Sequence, residues 1–315
     1  MARRRTRKAP VIAATEFIFI FSAIAYFIST ENFEYVLTLA TVFSGLVYFL
    51  DKILFARFRR NRYLRIKEKR AVLNADEEEY LSKGMPVIIE YSRSFFLVLL
   101  LVLVLRSFVF EPFRIPSGSL EPTLIPGDFI LVNKFDYGLR LPVINKKVVA
   151  MHEPKRGDIV VFHWPVNPKV DFIKRVVGVP GDTISYVDKV FYINGVEAKQ
   201  NTLETVPYVL ENGNMVDALK RQEDLLGVKH EIYQFPSREA DNFTNLTVPD
   251  NMYFMIGDNR DDSADSRTWG FVPESHIVGK PLYVLMSWDK NSYNLRWKRS
   301  GLSVQVKNEP AGETA

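Results

Sequence analysis

The chain has 315 residues, of which 47% are hydrophobic, and a formal net charge of +4 at pH 7. This length suits two ordinary domains, or one domain together with membrane segments. The sequence contains no cysteine, which excludes disulfides, thiolate nucleophiles and Cys-based zinc sites. Its four histidines are scattered, without HExxH or paired spacing, so neither a metal nor another cofactor is expected.

Three apolar runs predict transmembrane helices at residues 11–30, 35–55 and 94–110. Each run falls within the length range of a membrane-spanning helix. The first run also has features of a signal peptide, a basic start and small residues at Ala23 and Ala25. Because apolar residues continue through Ile28, an uncleaved helix is the preferred interpretation.

The distribution of Lys and Arg predicts the orientation of these helices. Residues 1–10 carry five, the link at 29–34 carries none, and residues 56–93 carry ten. The positive-inside rule therefore places the N-terminus and the charged 56–93 loop in the cytoplasm. Everything after the third helix is expected on the other side, and the basic residues are interpreted as topology determinants rather than nucleic-acid contacts.

From Gly127 onward the chain shows short β-rich runs separated by Gly-Asp, Pro-Gly and Asn-Gly dipeptides. This pattern predicts a mainly β, largely antiparallel domain at residues 111–300, followed by a polar tail at 301–315. The segment at about 200–248 is more polar and less patterned, and is predicted to be an inserted subdomain. Within it, the run VDALKRQEDLLGV at 216–228 predicts a short helix.

The segment Pro112–Lys134 reads PFRIPSGSLEPTLIPGDFILVNK and places Ser117 and Ser119 on either side of one glycine. Its four prolines prevent a regular helix, so a fixed extended loop leading into a strand is expected. Two interpretations stay open on these residues alone. One is an ordinary Pro/Ser/Gly turn, and the other is a rigid loop that presents a serine nucleophile.

A serine nucleophile requires a base, and no histidine has sequence neighbours that indicate a buried imidazole held by a carboxylate. Lys174 is the alternative, because it shares one face of the predicted strand DFIKRVVGV with Phe172 and Val176. Burial there would lower the pKa of the amine and let its neutral form accept the Ser119 proton. The competing interpretation is an edge-strand lysine whose amine reaches water.

A third segment, Gly257–Glu274, reads GDNRDDSADSRTWGFVPE and concentrates acidic groups, two arginines and two serines. Oxygen ligands for calcium are available from Asp258, Asn259, Asp261 and Asp262. The EF-hand spacing and its terminal glutamate are absent, however. Because Arg260 and Arg267 supply positive charge within the segment, an internally paired network is the preferred interpretation.

Together these segments resemble one known family. Five motifs occur in the order and approximate spacing of bacterial type I signal peptidases: IPSGSLEPTL, GDFILV, RGDIVVF, FIKRVVGVPGD and GDNRDDSADSR. The resemblance covers nearly all of residues 94–300 except the insertion. It implies a membrane-bound serine endopeptidase with a Ser/Lys dyad, which removes signal peptides from exported preproteins after small residues at −1 and −3. It also implies a multi-pass protein of the bacterial inner membrane with an antiparallel β catalytic domain on the periplasmic side.

The resemblance assigns catalytic roles by position. Ser119 would be the nucleophile and Lys174 the general base. The Ser117 hydroxyl and the Ser119 N–H would form the oxyanion hole, and Ser263 would orient the Lys174 amine.

Further positions follow from the same resemblance. Asp265 and Arg267 would pair and hold their loop beside the site. The substrate-binding positions implied for residues −1 and −3 are Phe113, Ile115, Pro116, Leu120, Leu124 and Ile173. Leu120 departs from the usual methionine, a volume-conserving change that affects fine pocket shape. Some relatives are anchored by two helices or carry a disulfide, and this chain differs from them in both respects.

The expected partners are signal-peptide-bearing preproteins and the lipid bilayer, with no nucleic acid, and the export translocon stays open as a further partner. Trp288, Tyr293 and Trp297 lie among basic residues, and are interpreted either as lipid contacts or as core packing. Two other functions are compatible with parts of the sequence. One is a Ser/Lys self-cleaving regulator of the repressor type, which the membrane helices and the lack of a DNA-binding segment disfavour. The other is a non-enzymatic, membrane-tethered β-domain adaptor.

Overall fold

The structure is a computed structural model that describes residues 33–69, 87–140, 147–210, 213–289 and 292–305. The chain divides into two compact units, Met1–Arg106 and Ser107–Ala315. The predicted basic N-terminus and first transmembrane helix, residues 1–10 and 11–30, lie outside the described residues.

The first unit is helical where it is described. Helix α1 spans Phe33–Leu50 and continues through a π-helical turn, Asp51–Phe55, into α2, Ala56–Lys69. Helix α3 spans Val87–Val104 and is followed by a second π-helical turn, Leu105–Val109. The start of the charged 56–93 loop is therefore helical.

Two stretches of the described residues, Tyr35–Asn61 and Val87–Val109, are long and apolar enough to cross a membrane. They correspond to the second and third predicted spans, although the latter begins at Val87 rather than at residue 94. The first stretch contains Asp51, whose carboxylate accepts two hydrogen bonds from the Arg59 guanidinium, both at 2.6 Å. This pairing offsets the cost of placing an acidic group within an apolar helix.

The second unit is built from β-strands. The described strands are β1 Phe110–Arg114, β2 Asp128–Asn133, β3 Leu139–Arg140, β4 Lys147–Val149, β5 Ile159–His163, β6 Asp171–Gly178, β7 Thr183–Val187, β8 Val190–Ile193, β9 Val196–Glu197, β10 Lys199–Val209, β11 Met215–Asp224, β12 Lys229–Gln234, β13 Phe243–Thr247, β14 Met252–Ile256, β15 Val272–Pro273 and β16 Ile277–Ser287. One short helix, α4, spans Ser266–Trp269.

The strands form four sheets, and all of their described pairings are antiparallel, as predicted. The largest has the order β1-β2-β16-β5-β6-β14-β15, and the others are β10-β11-β12, β13-β7-β8-β9 and β3-β4. In the large sheet β6 lies between β5 and β14, so both of its edges are hydrogen-bonded to neighbouring strands. Residues 174–178 are all buried, and because successive side chains alternate between faces, both faces of this part of β6 are covered.

The predicted helix at 216–228 is wrong, because this run forms β11 and the turn after it. Ala, Leu, Lys, Arg and Gln favour helices, but the tertiary context overrides this weak preference. Strand β11 pairs with β10 along its full length and with β12 over Leu219–Asp224. It buries Ala218 and Glu223, each 0% exposed. Within the predicted insertion β10, β11 and β12 form a three-stranded sheet, called the inserted sheet below, whereas β13 pairs with β7 outside it.

The beginning of the predicted polar tail also belongs to the domain. Val304 is 2% exposed and its N–H donates to the Leu282 carbonyl at 2.9 Å. Its side chain belongs to the same apolar cluster as Ile130 and Val161. The β domain therefore extends at least to Val304, beyond the end at residue 300 that the polar composition of the tail predicts.

Candidate active site

The serine loop runs from Ile115 to Leu124 and is fixed at both ends. Ile115 exchanges backbone hydrogen bonds with the start of β2 at 2.8 and 2.9 Å. At the other end Leu120 and Leu124 are buried, and the Leu124 N–H donates to the Leu120 carbonyl at 3.0 Å. Ser117 and Ser119 lie between these anchors and are half-buried.

The two side chains predicted as nucleophile and base meet in the structure. Nζ of Lys174 lies 2.5 Å from Oγ of Ser119, across a sequence separation of 55 residues. Lys174 lies on β6 opposite Val160 and is 4% exposed, which agrees with the buried amine and not with a lysine that reaches water. A charged ammonium would donate in this contact, whereas a neutral amine would accept the Oγ proton.

Burial lowers the pKa of Lys174 from 10.5 to about 8, because a low-dielectric environment disfavours the charged amine. The charges of Asp265 and Asp258 oppose this shift, and the charge of Arg267 adds to it. Nζ also lies 5.6 Å from the centroid of the Phe172 ring. About half of the amine is therefore neutral near pH 8.

Gly257 allows the end of β14 to approach the serine loop closely. A Cβ atom here would lie 2.5 Å from the Ser119 carbonyl oxygen, so no side chain fits. Two residues later, the Asn259 N–H donates to the Ser119 carbonyl at 3.2 Å. The Asn259 side-chain amide donates to the Gly118 carbonyl at 3.1 Å. This segment therefore holds the backbone on which Ser119 is mounted.

The predicted pairing of Asp265 with Arg267 is confirmed. The Arg267 guanidinium donates to both carboxylate oxygens, at 2.8 and 2.7 Å, and also to the Arg260 carbonyl at 2.5 Å. Asp265 is fully buried, accepts from the Gly257 N–H at 3.1 Å and caps α4. The pair therefore ties α4 to the backbone beside Ser119.

Ser263 lies close to Gly257 and lines the same cleft as Lys174. Its hydroxyl is 3.5 Å from the Ala264 carbonyl oxygen. Among the hydrogen bonds of the described residues, none joins Ser263 to Lys174. The orienting role of Ser263 stays a prediction.

A cleft of about 1010 Å³ opens beside the Ser119–Lys174 pair. Of the six predicted substrate-binding residues, Pro116 and Ile173 line it. Three others, Ile115, Leu120 and Leu124, are buried in an apolar cluster, against which Phe113 and Ile173 pack. The cleft is therefore backed by a packed apolar layer, and the role of the six residues in substrate binding stays a prediction.

A buried ion pair next to the site was not foreseen from the sequence. Arg175 donates two hydrogen bonds to the Asp258 carboxylate, both at 2.7 Å, and both residues are fully buried. Thr123 of the serine loop donates to the same carboxylate at 2.6 Å. The pair links β6 to both the serine loop and the segment after β14.

One histidine, His230, is buried beside a carboxylate, although its sequence neighbours do not indicate this. This residue is 5% exposed, and its Nε2 lies 3.3 Å from Glu223 Oε2 without hydrogen-bond alignment. Burial and the charge of Arg175 lower the pKa of His230. Glu223 is instead bound by the Arg260 guanidinium through both carboxylate oxygens. Local sequence gave no signal, because β11, β12 and residue 260 meet through tertiary structure.

The acidic side chains considered as calcium ligands are engaged by protein donors. Asp258 binds Arg175, as described, and Asp261 accepts from Lys189 Nζ at 2.8 Å and from the Phe235 N–H at 2.6 Å. Among the described residues, no group of three or more His, Asp or Glu side chains is arranged to hold a metal ion. These contacts favour the internally paired network.

The proteins that this chain resembles in sequence are signal peptidases. Residues 88–286 match the family described as signal peptidase, peptidase S26. Signal peptidase I of Pseudomonas fluorescens is 45% identical over 285 residues, covering 86% of this chain and 98% of the relative. Signal peptidase I of Pseudomonas aeruginosa is 43% identical over 275 residues, covering 82% and 93%. A solved signal peptidase I from Enterococcus faecalis V583 is 30% identical and covers 42% of this chain and 98% of its own, with a TM-score of 0.29.

The chain therefore belongs to peptidase family S26, the signal peptidases. Within that class it is a serine endopeptidase that cleaves signal peptides. Membership of this family favours the endopeptidase over the self-cleaving regulator and the non-enzymatic adaptor.

Proposed function

We propose that this endopeptidase works through a Ser119–Lys174 dyad. The observation that carries the proposal is the 2.5 Å contact between Lys174 Nζ and Ser119 Oγ, made by an amine that is buried and has a pKa of about 8. A neutral amine accepts the Oγ proton as Oγ attacks the scissile carbonyl. The resulting ammonium then donates that proton to the leaving amine, and an acyl-enzyme forms on Ser119.

Hydrolysis of the acyl-enzyme repeats the same proton transfer. The neutral Lys174 amine takes a proton from water, and the water oxygen attacks the ester carbonyl. Collapse of the intermediate returns the proton to Ser119 Oγ. One base therefore serves both halves of the reaction, which is the logic of an activated serine nucleophile.

The oxyanion of each tetrahedral intermediate is assigned to the Ser117 hydroxyl and the Ser119 N–H. Ser117 lines the cleft beside Ser119. In the part of the chain that the structure describes, neither donor is used in an intramolecular hydrogen bond. Donors that are already fixed and uncommitted stabilise developing negative charge without reorganisation. Ser263 is assigned to orient the Lys174 amine, with the Asp265–Arg267 pair holding its loop.

Selection of small residues at −1 and −3 is assigned to the apolar side of the cleft. Pro116 and Ile173 line it, and the packed layer of Ile115, Leu120 and Leu124 supports it. Because the apolar side of the cleft packs against a filled core, it cannot move to make room, and larger substrate side chains are excluded by steric overlap. Phe113 packs against the same layer.

The proposed location is the bacterial inner membrane, with a cytoplasmic N-terminus and the catalytic domain on the periplasmic side. The charge distribution around the apolar runs supports this orientation. Lipid contact is proposed for the end of the domain, where Trp297 is 74% and Tyr293 76% exposed, whereas Trp288 is half-buried. Association with the export translocon is proposed as a source of substrates.

The test is cleavage of a signal-peptide-bearing preprotein by the purified full-length chain in detergent, with the new N-terminus sequenced. Ser119→Ala is expected to abolish cleavage, and wild type is expected to cut after small residues at −1 and −3. Ser303→Ala is the matched control, because Ser303 is exposed and its hydroxyl bonds the Gln305 carbonyl. Cleavage by Ser119→Ala at the wild-type rate would contradict the dyad.

A further inference from the structure

Tyr208 connects the inserted sheet to the serine loop. It lies on β10 and lines the cleft. Its hydroxyl oxygen accepts a hydrogen bond from Asn259 Nδ2 at 2.9 Å. The Glu121 carboxylate of the serine loop lies beside the same hydroxyl, and burial together with this negative charge raises the pKa of Tyr208. One hydroxyl group therefore touches both the loop and the segment that holds the loop.

Asn259 transmits this contact to the peptide bond before Ser119. Its Nδ2 group donates to the Gly118 carbonyl at 3.1 Å as well as to Tyr208. The Gly118 carbonyl and the Ser119 N–H belong to one planar trans peptide and point in opposite directions. Fixing the carbonyl therefore fixes the direction of the N–H. That N–H is one of the two proposed oxyanion donors.

Glu121 sets the polarity of the chain of hydrogen bonds. A carboxylate is acceptor-only, so the neighbouring Glu121 carboxylate favours the orientation in which the Tyr208 O–H points towards it. The hydroxyl oxygen can then only accept from Asn259, which requires the amide NH₂ group to face Tyr208. In the opposite amide orientation, Oδ1 would face the Gly118 carbonyl oxygen, and two acceptors would meet. Asn259 is fully buried, so water cannot relieve such a contact.

The position of Tyr208 is itself fixed by packing. Its ring lies 5.2 Å from the Phe235 ring and 5.8 Å from the Tyr233 ring, measured between centroids. Backbone hydrogen bonds of 2.9 Å join Tyr233 to both Asp258 and Arg260. The inserted sheet is thereby bound to the two neighbours of Asn259.

Contact with the loop is close on the other side as well. A Cβ atom at Gly118 would lie 3.0 Å from the Tyr208 hydroxyl oxygen and 3.3 Å from Glu121 Oε2. The Tyr208–Glu121 pair thus packs directly on the glycine between the two serines. A displacement of this pair would let the peptide plane before Ser119 rotate.

We propose that Tyr208 is a positioning residue for the peptidase reaction, which aims the Ser119 N–H at the substrate oxyanion through Asn259. The proposal rests on the dyad mechanism proposed above and gives the inserted sheet a part in it. Tyr208 acts on the oxyanion donor rather than on Lys174. The pKa of the base should therefore be unaffected by loss of the hydroxyl.

The experiment compares Tyr208→Phe with Tyr233→Phe in preprotein cleavage by the full-length chain. Both variants remove one hydroxyl from neighbouring rings, but of the two it is the Tyr208 hydroxyl that accepts the described hydrogen bond from Asn259 and lies beside Glu121. We expect kcat of Tyr208→Phe to fall about 10-fold with KM unchanged, because the donor is misaimed rather than removed. The rising limb of its pH–rate profile should stay near pH 8, and Tyr233→Phe should match wild type.

Glu121→Ala provides an independent arm. We expect it to lower kcat to a similar extent, and the double variant with Tyr208→Phe to be no worse than either single variant, because both act through one hydroxyl. The proposal would be overturned if the losses in kcat of the two single variants multiplied in the double variant. It would also be overturned if Tyr208→Phe changed only KM, or if its kcat equalled that of wild type. Ser119→Ala in the same assay separates the two proposals. If it is inactive while Tyr208→Phe matches wild type, the dyad stands and only the positioning role fails.

Discussion

Strand β6 carries two adjacent buried basic residues, Arg175 and Lys174, whose surroundings differ in whether they pair the positive charge. Arg175 is fully buried and donates to the Asp258 carboxylate twice, and to the Gly157 carbonyl at 2.8 Å. Lys174, on the other face, is 4% exposed, and its hydrogen bond goes to the neutral hydroxyl of Ser119. The charge of Arg175 is therefore paired with a carboxylate, whereas a charge on Lys174 would have neither a bonded carboxylate nor water around it.

The difference follows from what each side chain can do when buried. An arginine is not deprotonated in proteins, so its charge must be paired if it is to be buried. A lysine can release its proton, so desolvation lowers its pKa instead. The pairing on one face of β6 provides structure, and the lack of a directly bonded carboxylate on the other face provides a base.

The largest expected effect is on catalytic activity, when Lys174 is replaced by arginine. Lys174→Arg keeps the positive charge but removes the ability to accept a proton. We expect preprotein cleavage to fall by about 10³-fold or more, since a positioned base contributes ~10²–10⁴-fold. Initial rates for the full-length chain in detergent measure this. Substantial retained activity would mean that the amine is not the base.

The next effect concerns the paired cation. Asp258→Ala leaves Arg175 buried without its carboxylate, which should lower the free energy of unfolding by about 3–5 kcal/mol. Denaturant titration of the purified chain measures the loss. The matched control is Asp171→Ala on the same strand, where the carboxylate pairs with His163 at 2.7 Å but is 38% exposed. There we expect less than about 1 kcal/mol, and equal losses at the two sites would contradict the comparison.

Removing the Lys174 amine is expected to have a smaller effect of opposite sign, namely an increase in the free energy of unfolding. The pKa of Lys174 is about 8 in the folded protein, compared with 10.5 for a lysine that is not buried, as in the unfolded chain. The folded state therefore binds fewer protons than the unfolded state between these values, and stability rises with pH across that window. Below pH 8 the burial costs about 3 kcal/mol, at ~1.36 kcal/mol per pKa unit.

The variant that tests this is Lys174→Met, which keeps the length of the side chain without a titratable group. At pH 7 we expect it to be inactive but more stable than wild type by up to about 3 kcal/mol. The advantage should shrink between pH 8 and 10.5, because wild-type Lys174 becomes neutral there. Unfolding of both proteins across this range, compared as a difference, cancels the other titrating groups. A difference that does not change with pH would show that desolvation does not set the state of Lys174.

The sequence by itself determined the strand pattern, the two apolar stretches within the described residues and the candidates for nucleophile and base. These features follow from local chemistry. Alternation in DFIKRVVGV places Lys174 beside Phe172 and Val176 on any strand with that face buried. Likewise, the prolines around Ser117 and Ser119 exclude a helix wherever the segment lies.

The tertiary structure decided what those local patterns could not. Lys174 meets Ser119 across 55 residues, Arg175 meets Asp258 across 83, and Glu223 meets Arg260 across 37. The helix-favouring run at 216–228 became a strand because β10 and β12 flank it. Pairing between distant strands depends on the whole sheet, and no local window of sequence contains it. For this reason the fate of each buried charge on β6 was settled only when the chain was folded.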